Sequence, residues 1–487
     1  MPVSDFLARL DGLFQSVIVD SISSVIFFDL AFWDNGQPGE TVLPAVVCWL
    51  GAAALFFTLR FRLINVRGFV HGTQVVRGQY TRPEDKGEIS PFQALSAALS
   101  ATVGLGNIAG VATAVGLGGP GAVFWMVVAG ALGMSSKFAE VTLAQMYRVT
   151  RVDGHVSGGG MHYLRAGLGE LGWPRLGAVL SVVFAVMCIG ASFGGGNMYQ
   201  ANQSFAQFAN VMPAFANSGG AAAFGLFLAV LVGLVIIGGI KRIGDVASVL
   251  VPVMCGIYVA AGFAILALHT AEIPAAFATI VRGAFSPEAA FGGFVGVLIT
   301  GFRRASFSNE AGCGSAPIAH SAATTSEPVR QGLVALLEPF IDTVVVCNMT
   351  GLVVVVTGAY ANPEAGQGIA MTSWAFASVF PGFEYVLSLT AFLFAYSTMI
   401  SWSYYGEQCW AHLFGIRSLL AYKLIFLLFT WAGAVFAAKA VLDFGDLMIL
   451  GMAFPNLIGV VLLSGKIKRA LDDYLARLRA GEFVRVR

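Results

Sequence analysis

Charge is scarce in this chain. Of 487 residues, 27 are acidic and 28 basic, 11% together, against about 25% in ordinary soluble domains. So little charge argues against a solvated globular surface, and a net charge of +1 argues against nucleic-acid binding or a polybasic membrane anchor. Cysteine is scarce as well. Cys48, Cys188, Cys255, Cys313, Cys347 and Cys409 are scattered, with no CxxC pair and no paired histidines nearby. Neither a disulfide frame nor a metal cluster is expected from them. The six histidines form no HxxxH or HExxH pattern, and no nucleophile elbow occurs, so hydrolase signatures are missing. The first 30 residues have Arg9 as their sole cation and lack the charged start and cleavage site of a signal peptide. Residues 1–41 read instead as an amphipathic segment on a membrane surface.

What the chain has in excess is apolar sequence: 57% of residues are hydrophobic and the mean hydropathy is +0.77. Runs of about 20 such residues cross a bilayer. Eleven runs are read, at 42–59, 92–116, 120–147, 177–210, 219–239, 246–268, 290–318, 331–357, 371–402, 419–437 and 444–464. The expected fold is an all-α polytopic membrane protein. Cations gather between 60 and 88, after the third and fifth runs, near Arg303, Arg304 and Arg330, and in the last 22 residues. The positive-inside rule then puts the N-terminus outside and the C-terminus in the cytoplasm of a plasma-membrane protein. That arrangement needs an odd number of spans.

Two of these runs are interrupted. Within 92–116, Gly104 and Gly106 flank Leu105 and Asn107 follows. Glycines so close weaken a helix. Within 290–318, the apolar stretch up to Gly301 gives way to Phe302-Arg-Arg-Ala-Ser-Phe-Ser-Asn-Glu-Ala-Gly-Cys-Gly314 before Pro317. Paired breaks at corresponding places in two halves point to a transporter site. Spans two to six (92–268) and seven to eleven (290–464) would then be five-helix repeats, inverted because five is odd. Span 42–59 would precede them and 465–487 would form a cytoplasmic tail. The bland alternatives are a glycine-rich packing surface at the first break and a cytoplasmic loop at the second.

Gly118-Gly-Pro-Gly-Ala-Val-Phe-Trp-Met126 with Gly133, together with Phe307-Ser-Asn-Glu-Ala-Gly312 and Gly314-Ser-Ala-Pro317, resembles the alanine or glycine:cation symporter family. The resemblance runs from about Leu43 to Lys466, with Val127 standing where the family usually has a second Trp. It implies an inverted-repeat amino-acid transporter fold with one extra helix in front. It also implies sodium-coupled symport of small neutral amino acids, alanine and glycine, into the cell by alternating access. No cofactor is expected beyond sodium as coupling ion, and the partners are the amino acid, sodium and the lipid bilayer. A proton-coupled carrier or, from a different class, an ion channel are the alternatives; an enzyme is not expected.

Residue roles follow from the chemistry of each break. Backbone amides of Leu105 and Gly106, with Gly104, Asn107 and the Thr102 hydroxyl beside them, suit a substrate carboxylate. Carbonyls of Ser100 and Val103, released where the first half-helix ends, suit sodium. By resemblance to the fold's shared ion site, the hydroxyls of Ser397 and Thr398 complete its coordination. They could equally bond their own helix four residues back. Asn197, Gln200, Ser204 and Gln207 share one helical face, with Gln200 a substrate contact and Gln207 an interhelical bond. Thr300, Phe302 or Phe307 would wall the pocket. Lys137 and Glu140 are expected to pair on one helix. Glu338 and Asp342 with Arg303 and Arg304 form a candidate inner gate, with Glu338 able to take a proton. No acidic side chain lies in the first break itself.

Overall fold

The computed structural model describes residues 12, 15, 20–32, 42–82, 84–151, 155–286, 293–483 and 485. The expected amphipathic segment over 1–41 falls largely outside them; within it, α1 (Asp20–Ile26) is helical. The short apolar helix α2 (Ala45–Arg60) follows, then α3 (Phe69–Val76). The first interrupted span is α4 (Pro91–Thr102) and α5 (Val111–Gly118), joined by a wide-turn helical segment, Gly106–Gly110. After it come α6 (Gly121–Met146), α7 (Gly160–Glu170) and α8 (Pro174–Val211). Then follow α9 (Ser218–Ile236), α10 (Gly239–Leu268) and α11 (Ile273–Phe285).

The second interrupted span is α12 (Gly293–Asn309) and the one-turn α13 (Pro317–His320). It is followed by α14 (Pro328–Val356), α15 (Ile369–Ala377), α16 (Phe383–Phe414), α17 (Leu419–Val435) and α18 (Ala438–Arg479). Two short antiparallel strands, Val149–Thr150 and Val156–Ser157, make the sole sheet among the described residues.

Eight of these helices are long and apolar enough to cross a membrane, and nine with the bent pair Pro91–Thr102 and Gly106–Gly118 counted as one. The 16-residue α2 and the α12–α13 unit account for the other two expected runs. The ninth run is displaced. Where 371–402 reads as one span, Pro381 and Gly382 (φ 89°) close a turn after α15, and α16 begins only at Phe383. The amphipathic α11 lies in a stretch that the apolar-run reading leaves without an element.

Local sequence explains the ends that matter most. Ser90 accepts from the Gln93 amide and Gln93 returns a bond to the Ser90 amide, with Pro91 at the first helical position. That reciprocal cap sets where α4 enters the membrane. In α8 the triplet Gly194-Gly195-Gly196 gives a wide helical turn, Gly194–Met198. Helix α17 passes so close to that turn that a Cβ on Gly433 would lie 2.5 Å from Met198 Cα. Side chains this small let membrane helices approach. Leu226, Val249 and Leu428 are more than half exposed, as lipid-facing positions should be.

Candidate functional site

The first break opens where α4 stops at Thr102 and the chain turns through Val103 and Gly104. Its loose amides find specific partners. The Gly104 amide donates to Asn107 Oδ1 (2.9 Å) and the Leu105 amide to Gln200 Oε1 (3.0 Å). Gln200 is fixed in turn, its Nε2 donating to the Gly195 carbonyl of the wide turn in α8 (2.9 Å). Among the described residues the Gly106 amide has no hydrogen bond. The break is thus closed from one side by Gln200 and keeps one backbone donor free, at the start of a helix whose dipole favours an anion. Thr102 bonds back to the Ala98 carbonyl of its own helix (3.2 Å).

Helix α16 meets the end of α4. Thr398 Oγ1 donates to the Ser100 carbonyl (3.0 Å), and Ser100 Oγ donates to the Ser397 carbonyl (2.7 Å). Ser397 Oγ instead returns to Phe394 O on its own helix (3.0 Å). No side chain hydrogen-bonds to the Val103 carbonyl among the described residues. Three of the four residues expected around sodium, Ser100, Ser397 and Thr398, are therefore drawn from two helices into one buried contact, with hydroxyl and carbonyl oxygens, the ligands a hard cation takes; Val103 is buried beside them in sequence but makes no bond to α16. A Cβ on Gly104 would lie 2.6 Å from Thr398 Oγ1 and 3.0 Å from Gln200 Oε1. Gly104 is therefore where Thr398 of α16 and Gln200 of α8 converge on the break.

Asn107 ties the two breaks together. Its Nδ2 donates to Asp342 Oδ1 (2.6 Å), and Ser308 Oγ, at the end of α12, donates to Asp342 Oδ2 (3.0 Å). Thr343 adds a third bond to that carboxylate (2.6 Å), and Asn309 holds Thr343 (2.9 Å). A Cβ on Gly106 would touch Ser308 at 3.5 Å. An acidic group thus does stand against the first break, supplied by α14 across the bundle; periodicity within one run gives no sign of it. Ser308 and Asn309 are part of this junction and were not among the expected site residues, although they lie inside the Phe307-Ser-Asn-Glu-Ala-Gly motif.

Other expectations need correction. Thr300 packs on Gly118 at the far end of α5, and Phe302 lies against Trp125 and Gly51. Phe307 faces α8, where its ring edge approaches Gly195 and meets Tyr199 edge-on (5.3 Å). The expected inner gate does not form. Arg303 (Nη2, 2.8 Å) and Arg304 both pair with Asp446 of α18, while Glu338 pairs with Lys137 (2.9 Å). Lys137 is therefore not paired with Glu140, which accepts from Asn456 (2.5 Å).

Along the polar face of α8, Asn197 donates to the Phe426 carbonyl and Gln207 to Ser373, which are interhelical bonds. Ser204 lines an apolar cavity of about 500 Å³ between α8, α9 and α16, shared with Phe208, Phe224 and Phe392. Neither Gln200 nor the break residues line it.

Comparison with known proteins gives the arrangement a lineage. The chain is 41% identical over 429 residues to the sodium/alanine symporter AgcS of Methanococcus maripaludis, covering 87% of this chain and 92% of that protein. It is 32% identical to the sodium/proton-dependent alanine carrier protein of Bacillus sp. PS3, covering 81% and 90%. It is also 36% identical to the probable sodium/glutamine symporter GlnT of Bacillus subtilis, covering 88% and 87%. Among solved structures, the transporter MhsT in complex with L-phenylalanine matches with a TM-score of 0.52 at 14% identity, over 78% of this chain and 98% of that one. That likeness is one of fold. The model of the sodium:alanine symporter family matches residues 37–486, and the chain belongs to that family.

Proposed function

We propose that the chain carries alanine, glycine or a similarly small neutral amino acid into the cell with sodium, by alternating access around its two interrupted helices. The observation that carries this reading is the junction at the first break. There the free Gly106 amide, the Ser100–Thr398 contact and the Asn107–Asp342–Ser308 cluster meet within one buried region. In this reading Leu105, Gly106 and Thr102 receive the carboxylate, and Gln200 leaves the Leu105 amide as substrate arrives. Ser100, Val103, Ser397 and Thr398 hold sodium. Phe307, rather than Phe302 or Thr300, limits the pocket from the α8 side. The relatives named for alanine support the substrate class, while the one named for glutamine makes pocket size the property to measure. The spans from 92 to 268 and from 290 to 464 act as inverted halves, with the N-terminus outside and the α18 tail in the cytoplasm of the plasma membrane.

The test is uptake of labelled alanine into proteoliposomes with and without a sodium gradient. Wild-type uptake should require sodium and be competed by glycine better than by glutamine, leucine or phenylalanine. Ser397→Ala with Thr398→Ala should raise the half-saturating sodium concentration at least about tenfold, roughly the 1.4 kcal/mol of a lost ion contact. An unchanged sodium curve in that variant would remove the ion site. Equal competition by leucine and alanine would remove the small-substrate reading.

A further inference from the structure

Glu310 breaks three local rules at once. It follows Asn309, the last residue of α12, and takes φ 55°, in the left-handed region. Glycine ordinarily fills that place at a helix end, and glycines do fill the two later left-handed positions of the same turn, Gly312 (φ 94°) and Gly314 (φ 84°). A carboxylate at a helix C-terminus also meets the negative end of the dipole. Finally, Glu310 is 2% exposed, whereas Arg62 and Leu63, the other non-glycine residues with positive φ among those described, are exposed. Local rules that fail together mark a place where function overrides them.

Both carboxylate oxygens are engaged. Ser315 Oγ, at the far side of the turn, donates to Oε2, and the Trp402 indole N–H of α16 donates to Oε1 (3.1 Å). Trp402 is fully buried, so without that acceptor its N–H would be left unpaired inside the bundle. The bond fixes the indole against the wide turn of α8. A Cβ on Gly196 would lie 2.2 Å from Trp402 Cγ, and one on Gly195 would lie 2.3 Å from Ile449 Cδ1 of α18. The turn is thus held between α16 and α18. Its Gly195 carbonyl anchors Gln200 Nε2 (2.9 Å), and Gln200 Oε1 accepts from the Leu105 amide (3.0 Å). A continuous set of contacts therefore runs from the second break, through α16 and α8, to the first.

We propose that Glu310 is a positioning residue for amino-acid binding: by holding Trp402 on the glycine turn of α8, it sets Gln200 on the first break. It ties the two breaks a second time, through residues separate from Asn107, Asp342 and Ser308. When the carboxylate is removed, the indole turns to seek another acceptor, the Gly196 backbone loses the surface it rests on, and Gln200 loses its anchor. The strained backbone at Glu310 persists because these bonds over-determine it.

The inference rests on the symporter reading for the step that it serves, and its test uses counterflow of labelled alanine in proteoliposomes at saturating sodium. Glu310→Gly removes the side chain and relieves the left-handed backbone. Glu310→Gln keeps an oxygen for the indole and can donate its amide N–H to Ser315 Oγ. The half-saturating alanine concentration should rise at least about tenfold in Glu310→Gly and Glu310→Ala, and stay within about twofold of wild type in Glu310→Gln. Glu310→Gly should nevertheless unfold at a higher temperature than Glu310→Ala, so that affinity and stability part company. Trp402→Phe, which removes the donor and keeps a ring, should worsen Glu310→Gly by less than about twofold, because the two act as one unit.

An unchanged half-saturation in Glu310→Gly overturns the proposal, as does a Glu310→Gln variant as impaired as Glu310→Gly. If Glu310→Gly yields no folded protein, Ser315→Ala, which frees Oε2, takes its place with a rise of at least about threefold, and no rise overturns the proposal. Hydrogen exchange in detergent gives a readout that needs no transport. The segment from Gly194 to Gln200 should exchange faster in Glu310→Gly than in wild type or Glu310→Gln. Absence of sodium-dependent counterflow in wild type would sink the symporter reading instead. Exchange alone then decides for Glu310, and equal rates in wild type and Glu310→Gly overturn its positioning role.

Discussion

At the scale of single residues, two glycines two positions apart impose different demands. A methyl group on Gly104 would come within 2.6 Å of Thr398 Oγ1 and 3.0 Å of Gln200 Oε1, whereas one on Gly106 would meet Ser308 only at ordinary contact distance, 3.5 Å and beyond. Gly104→Ala must displace the hydroxyl that bonds the Ser100 carbonyl and the amide that caps Leu105. Calorimetry on purified protein should find sodium-dependent alanine binding weakened by at least about two orders of magnitude, near 2.7 kcal/mol. Gly106→Ala should keep binding within about tenfold. Equal effects at both positions would mean that the break is only a place where helices pack. The sequence made Gly104 and Gly106 conspicuous because paired glycines interrupt an apolar run. It could not rank them, because their difference lies in Thr398 and Gln200, which are distant in sequence and close only after folding.

At the scale of elements, the spans were legible and the links between them were not. Hydropathy located nearly every crossing, since a bilayer demands about 20 apolar residues whatever the tertiary partners. It failed at 371–402, where both sides of the Pro381-Gly382 turn are apolar and average into one run. It failed also for the partners of buried charges, because helical spacing fixes the face a charge occupies and not the helix it meets. Arg303 and Arg304 are the case in point, bound to Asp446 on α18 rather than to Glu338 or Asp342. Removing Asp446 would strand Arg304, which is only 5% exposed, and breaking a buried pair from one side costs about 3–5 kcal/mol. Asp446→Ala should therefore lower the unfolding free energy in detergent by about that amount. Arg304→Met with Asp446→Leu should recover most of it, because no buried charge in that pair is then left alone. A single variant as stable as wild type would show that the arginines find other partners.

At the scale of the whole molecule, the most telling dimension is the length of α18. Its 42 residues span about 63 Å at 1.5 Å per residue, about twice a bilayer core, and its second half carries the charged stretch from Lys466 to Arg479. That half is fastened to several separate connections. Tyr474 Oη meets His71 Nε2 of α3 (2.7 Å), Lys466 meets Glu170 of α7 (2.5 Å), and Arg477 meets Glu327 (2.8 Å) in the segment between His320 and α14. The hydrogen bond from Lys466 holds the Glu170 carboxyl below its ordinary range, with the Tyr147 hydroxyl helping. A depressed carboxyl contributes stability above its unfolded pKa and loses it as pH falls through the folded value. Glu170 is half exposed, so solvent screens that contribution to a small one. The tail should accordingly be held by its buried aromatic rather than by its ion pairs. Tyr474 is 1% exposed and stacks on Phe483 (4.8 Å between ring centroids), and truncating such a ring costs about 3 kcal/mol or more. Arg477, one-third exposed in its side chain, should cost less than about 1 kcal/mol on replacement by Ala. Limited proteolysis of reconstituted protein reads the difference: Tyr474→Ala should release the segment beyond Lys466 to cleavage, and Arg477→Ala should leave it protected. Cleavage at equal rates in the two variants would mean that the ion pairs, not the ring, hold the tail against the loop that carries the second break into α14.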